Sequence, residues 1–119
     1  MEWKLTDGRP IWVQLHEQLR QRIATGAYPR GSRMPSVREL AAEAGVNPNT
    51  MQRALAQLEA DGLVSTNRTA GRTVTEDGVV LSRICIELAN ERIREYLHSM
   101  ALLGFTKDEA VELLKKWEE

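Results

Sequence analysis

A chain of 119 residues fits one small domain, or one domain with a short appendage, and excludes a large enzyme barrel or a two-domain nucleotide-binding enzyme. Apolar residues make up 42%, enough for a core and too many for disorder throughout. The net charge of −1 hides an asymmetry: residues 1–75 hold ten Lys/Arg against seven Asp/Glu (+3), residues 76–119 six against ten (−4), so the basic half is either a candidate for nucleic acid or an ordinary surface variation.

The first predicted helix runs from Pro10 to Thr25. Proline suits a first turn, where its missing N–H costs nothing. Ile11, Leu15, Leu19 and Ile23 recur every fourth residue, with Trp12 beside them, and form one apolar stripe. Arg20 and Arg22 lie off that stripe, and Gly26 can take the left-handed cap. Residues 27–35 read as a loop with two prolines and a glycine, leaving room for at most a very short strand.

Ser36 then caps a second helix, with Glu39 completing a capping box. Val37, Leu40, Ala41 and Ala44 face inward until Gly45 ends it. Asn47-Pro48 opens a third helix, a capping side chain followed by proline at the first position. Met51, Ala54, Leu55 and Leu58 are its buried side and Gly62 its end. Two short helices joined by a tight turn on Gly45 have the helix-turn-helix layout; an αα-hairpin in another bundle is the alternative. Residues 63–66 and 72–75 are β-prone and flank the polar loop Asn67 to Gly71, which reads as a hairpin, or wing.

Residues 79–103 are predicted as a long helix. Val79, Ile86, Ile93 and Met100 repeat every seven residues, and Ala89, Tyr96 and Leu103 add a second row. Leu81, Ile84, Cys85 and Leu88 are apolar on another side, so the helix must bury two faces. Gly104 stops it, Thr106 with Glu109 forms a capping box, and Ala110, Val111, Leu113, Leu114 and Trp117 give a last amphipathic helix.

Placed in a major groove, the third helix would lead with Asn47, Pro48, Asn49, Thr50, Gln52 and Arg53. Asn and Gln can bond adenine bidentately, and Arg can bond guanine or phosphate. Free N–H groups at the helix start would also favour phosphate, less the one that Pro48 lacks. Asn47 is either a base reader or spent as the cap. Arg38, close behind Ser36, reads as a phosphate or base contact or as a solvated arginine. Arg53 could instead pair with an acid such as Glu39. In the wing, Arg68 and Arg72 bracket Gly71, a tip that could enter a minor groove or face water.

The stretch from Pro10 through Thr75 resembles the GntR family of bacterial transcription regulators. The resemblance is carried by PIWVQLHEQLRQRIATGAYPRGSRMPSVRELAAEAGVNPNTMQRALAQLEADGLV and the wing after it, with PSVRELA and VNPNTMQRAL the most specific parts. The short helical tail looks like the YtrA-type branch, whose two helices after the reading head make a homodimer. The resemblance implies a mostly α fold: a winged helix-turn-helix of three helices and a small hairpin at residues 1–75, and a two-helix dimerisation tail at 76–119. It assigns DNA contact to Arg38, to Asn47, Pro48, Asn49, Thr50, Gln52 and Arg53 at the recognition-helix positions, and to Gly71 at the wing tip; Ser36, Arg68 and Arg72 complete the expected DNA-contacting set. The apolar rows of the tail put the expected dimer seam at Ile86, Ala89, Ile93, Tyr96, Met100, Leu103, Leu113, Leu114 and Trp117. The wing departs from the family pattern of Gly-x-Gly, a residue and an aromatic: Thr69 stands for the first glycine and Thr73 for the aromatic.

The expected function is transcription regulation, as a repressor that meets a double-stranded operator as a homodimer on an inverted repeat. A bound small-molecule effector that alters head spacing is implied by the resemblance alone. A winged-helix protein-interaction module and a fragment of a larger regulator are the rival readings. No catalytic constellation, cofactor motif or metal-ligand spacing is present, so neither an enzyme nor a metalloprotein is expected. No apolar run could span a membrane, the first residues lack a secretory layout, and a cytoplasmic protein is the default. His16 is expected as a partly exposed helix residue, Cys85 as a buried inert thiol, and Trp3 and Trp117 as anchors of the two chain ends.

Overall fold

Helix α1 spans Ile11–Ala24, α2 Val37–Ala44 and α3 Pro48–Ala60; strands β1 (Val64–Asn67) and β2 (Gly71–Val74) follow, then α4 (Gly78–Leu102) and α5 (Lys107–Lys116). The computed structural model describes residues 2–69 and 71–118, so Met1, Glu119 and Ala70 of the predicted wing loop lie outside the described residues. The chain divides into two compact units, one ending at Cys85 and one beginning at Ile86.

The first unit is built on apolar stripes. Leu15 and Leu19 of α1, Leu40 of α2 and Met51, Leu55 and Leu58 of α3 are fully buried together with Leu63 and Val74. Each such side chain contributes about 1.5–3 kcal/mol through the area it removes from water. Gly45 closes α2 with φ +70°, and its N–H and that of Val46 reach back to Ala42 and Ala41. That left-handed residue costs an L side chain energy and costs glycine none, which makes the tight turn into α3 available here. Ser36 Oγ accepts the Glu39 N–H at 3.1 Å, so the described bonds supply the serine half of the expected capping box.

A second stripe of α1 is polar and was not expected. Gln14, Gln18 and Arg22 hold the segment before the helix. Gln18 accepts the Lys4 N–H at 2.9 Å and donates to the Lys4 carbonyl at 2.8 Å. Gln14 does the same for Thr6, at 2.8 and 2.9 Å, and donates also to the Arg9 carbonyl. Arg22, predicted off the packed stripe, is buried: it donates to the Glu2 carbonyl, to Tyr28 Oη and to Glu43. Its partners explain the burial, since a charge leaves water only when it is paired and hydrogen-bonded. Trp3 anchors this end as expected, its Nε1 donating to Glu43 at 3.0 Å.

The wing pairs β1 with β2 antiparallel, Val64 opposite Val74 and Asn67 opposite Gly71. Residues 31–34 run along its other edge. Met34 N–H donates to the Arg72 carbonyl and Val74 N–H to the Ser32 carbonyl, both at 2.8 Å, with a bridge between Arg33 and Thr73. Asp77 caps α4, accepting the Val79 N–H at 2.9 Å. Ile84, within the first unit, is buried, but Cys85, expected to be buried, is exposed. One residue further round the helix turns it off the Ile84 face, and its thiol donates to the Ala24 carbonyl at 3.3 Å.

In the second unit Gly104, with φ +92°, ends the α4 turn, and Thr106 and Glu109 form the complete capping box of α5. Tyr96 Oη donates to the carbonyl of the fully buried Ala110. Much of this unit's apolar surface remains uncovered within the chain: Leu102, Leu103 and Trp117 are each more than 70% exposed. Trp117 therefore does not anchor the C-terminus on the core.

Candidate nucleic-acid interface

Helix α3 turns its apolar side inward through Met51, Ala54, Leu55 and Leu58 and leaves Asn49, Gln52 and Arg53 on the outside. Its start is exposed at Asn47 and Pro48 and half-buried at Thr50. Asn47 Oδ1 accepts the Asn49 N–H at 2.8 Å, so that oxygen serves the cap while the side-chain NH₂ keeps its donors. The Thr50 and Met51 N–H groups both go to the Asn47 carbonyl. With Pro48 lacking a donor, the free N–H groups expected at this helix start are already spoken for. The chemistry offered to a base edge here is that of side chains: amides at Asn49 and Gln52, a hydroxyl at Thr50 and a guanidinium at Arg53.

Arg53 is not paired with Glu39. Its Cζ lies 4.3 Å from the centroid of the Trp12 ring, at the start of α1, in a cation–π arrangement.

A second patch lies between α2 and the wing. Arg33, Arg38 and Arg72 line one open cleft of about 720 Å³ together with Ser36 and Gly71, and Glu39 is its one acid. Three guanidiniums around an open cleft suit an anionic partner such as a phosphate. The edge pairing explains how they meet. Residues 31–34 follow β2, which brings Arg33 beside Arg72, and Ser36 starts α2 two residues later. Gly71 opens β2 with φ +71°, a conformation that favours glycine, and Arg33 lies in ordinary contact distance of it. Arg33 was missed because a loop between prolines gave no cue to strand pairing.

Arg68 is exposed at the wing turn, apart from that cleft. Asn67 Oδ1 orders the turn, accepting from both Thr69 N–H and Thr69 Oγ1 at 2.9 Å. Thr73, where an aromatic is usual, pairs across to Ser65 in the strand register and to Arg33 on the other edge. His16 is half-buried and hydrogen-bonds Asp61 at 2.6 Å. Among the described residues no group of three or more His, Cys, Asp or Glu side chains is placed to hold a metal, and no helix is long and apolar enough to cross a membrane.

Of the expected tail residues, Ile86, Ala89, Ile93, Leu103, Leu113, Leu114 and Trp117 are exposed, while Tyr96 and Met100 are half-buried.

A helix-turn-helix followed by a paired wing, with amides and arginines on its open side, defines a winged-helix DNA-binding transcription regulator. Residues 13–74 match the family described as bacterial regulatory proteins, gntR family. The chain is 32% identical over its whole length to the HTH-type transcriptional regulator YhcF of Bacillus subtilis, covering 98% of that protein. It is 30% identical to the HTH-type transcriptional repressor YtrA of Bacillus subtilis, over 91% of this chain and 81% of that one. Among solved structures, a GntR family transcriptional regulator from Listeria monocytogenes superposes with a TM-score of 0.85 at 34% identity, covering 96% of this chain and all of the other. The chain belongs to the GntR family of transcriptional regulators.

Proposed function

We propose that this regulator is a repressor that binds an inverted-repeat operator as a homodimer. In this reading residues 1–75 read DNA and residues 76–119 pair the two copies. Asn49, Thr50, Gln52 and Arg53, with the Asn47 amide, meet base edges in the major groove. Ser36, Arg38 and Arg72 meet the phosphate backbone beside them, and Arg68 with Gly71 follows the adjacent groove. The single observation that carries the reading is the outward amide-and-arginine face of α3, in the same compact unit as the three-arginine cleft. The repressor role draws support from the name of the relative YtrA.

Pairing through the tail draws support from its uncovered apolar side chains, Ile86, Ile93, Leu113, Leu114 and Trp117 among them. A run of this kind marks an interface rather than a solvated face. A two-fold pair would set two α3 helices about one helical turn of DNA apart, or a multiple of it. The site of action is the cytoplasm, and no catalytic step is assigned. A small molecule that changes head spacing would act through the same pairing, and would show as a metabolite-dependent change in operator affinity.

The test is fluorescence anisotropy with duplexes that the full-length protein enriches from a random-sequence library, against scrambled duplexes, at two salt concentrations. The expected result is sequence-dependent binding with a steep salt slope, weakened in Arg38→Ala and Arg53→Ala. Equal, weak binding to every duplex would overturn the reading and favour a protein partner for the winged helix.

A further inference from the structure

We infer that Trp12 is a positioning residue for DNA recognition: its indole holds the Arg53 guanidinium in place on α3 before the duplex arrives. The inference rests on the proposed DNA-reading role of Arg53. Three observations carry it. Arg53 lies on the exposed side of α3, four residues after Asn49, and Gln52 lies three after it, so Asn49 neighbours both side chains on one exposed surface. Its guanidinium lies 4.3 Å from the centroid of Trp12, within the range of a cation–π attraction. And Trp12 is itself held, half-buried on the α1 turn that also carries the fully buried Leu15.

The physical consequence concerns entropy. A free arginine carries rotamer freedom that is lost when it grips a base or phosphate. An arginine already resting on an indole has given up much of it in the free protein. A cation–π contact, unlike an ion pair, ties no guanidinium N–H to an acceptor oxygen and leaves the donors available for a bidentate contact, the geometry that guanine and phosphate require. An ion pair would occupy those same donors. An aromatic at position 12 therefore orders Arg53 without consuming what Arg53 uses to read DNA.

The experiment uses the full-length protein and the duplex it enriches most from a random-sequence library. Dissociation constants are measured for the wild type, Arg53→Ala, Trp12→Leu, Trp12→Phe and the Trp12→Leu/Arg53→Ala double variant, with a thermal melt of each. Arg53→Ala is expected to weaken binding roughly ten- to hundredfold. Trp12→Leu keeps apolar volume but removes the π face, and is expected to weaken binding about three- to tenfold. Trp12→Phe, which keeps a face, stays near the wild type. The double variant binds no more weakly than Arg53→Ala alone, the signature of one residue acting through the other.

A further loss from Trp12→Leu in the Arg53→Ala background overturns the inference, because Trp12 would then act through the fold at large. So does a normal affinity in Trp12→Leu, or a loss in Trp12→Phe equal to that in Trp12→Leu. An unchanged affinity in Arg53→Ala removes both the inference and the role of Arg53, while failure to enrich any duplex removes the DNA-reading proposal itself. Should Trp12→Leu not fold, the Arg53 side-chain proton shifts in the wild type decide: the ring-current displacement is expected in the free protein and in the complex. Its absence from the free protein, or its loss on duplex binding, overturns the inference.

Discussion

Arg22 lies with its Cζ 3.8 Å from the centroid of the Trp3 ring and so ties the start of the chain to the last turn of α1. The same guanidinium donates to Tyr28 Oη at 2.9 Å, to the Glu2 carbonyl at 2.7 Å and to Glu43 at 3.4 Å. One buried charge thus joins the N-terminal segment, the loop after α1 and helix α2.

Removing that charge leaves several polar groups without their partner. Arg22→Met keeps the stem and removes the donors, and should lower stability by about 2–4 kcal/mol in urea unfolding. Arg22→Lys should recover only part of the loss, because an ammonium cannot reproduce the planar fork. A loss below about 0.5 kcal/mol in Arg22→Met would count against the cluster as a stabilising device.

Two glycines near the entry to α4 should respond differently to alanine. Gly31 has φ +77°, and a Cβ there would meet Glu76 Oε1 at 2.8 Å. Gly31→Ala should cost about 1–2 kcal/mol from the left-handed backbone alone. At Gly78 the added atom meets only the far end of Arg30, Nη1 at 2.9 Å, and the position is helical. Gly78→Ala should stay within about 0.5 kcal/mol of the wild type, since Arg30 can swing aside. Melting curves showing the reverse order would contradict this account.

The cap of α5 should be visible in an acid titration. The Thr106 backbone N–H donates to the Glu109 carboxylate at 2.9 Å, and this bond, with that to the Thr106 side chain, holds its pKa below the ordinary value. An unfolded glutamate titrates near about 4.3. The folded value lies lower, so the cap's stabilisation is complete above the unfolded value and is lost as pH falls through the folded one. Carboxyl-carbon NMR should find Glu109 titrating below the ordinary glutamate value, and Thr106→Ala should move it back toward that value. An unshifted Glu109 would contradict the capping geometry.

Pairing of two copies has its own test. Ile93 and Leu114 are 52% and 55% exposed, so glutamate at either site disturbs little within one chain. Sedimentation at micromolar concentration should find the wild type dimeric and Ile93→Glu and Leu114→Glu monomeric, with unchanged helical circular dichroism. A monomeric wild type would end the homodimer proposal.

Legibility in the sequence followed the distance over which each signal acts. Met51, Ala54, Leu55 and Leu58 were readable as the buried side of α3, because spacing of three and four residues is local. The turn at Gly45 and the caps at Asn47 and Thr106 were readable for the same reason. The hairpin was displaced by about a residue: the Leu63 N–H goes to Leu58 and finishes α3, which delays β1 to Val64. The polar stripe Gln14, Gln18 and Arg22 also repeats every fourth residue, but a polar stripe on a helix ordinarily faces water. The segment before the helix, together with Tyr28 and Glu43 at Arg22, gives it partners. Arg53 over Trp12 and Arg33 beside Arg72 join residues distant in the chain, and no local period reports such pairs.

The glutamines that hold the N-terminal segment each use both ends of a primary amide, the oxygen toward an N–H and the nitrogen toward a carbonyl. Glutamate, which differs by one atom, offers only acceptors, and its oxygen would face the Lys4 or Thr6 carbonyl lone pairs. Hydrolysis of either amide, the slow chemical ageing to which glutamine is subject, would convert a latch into a repulsion. The two side chains thus make the attachment of this segment a property that an old molecule can lose without any change in its gene.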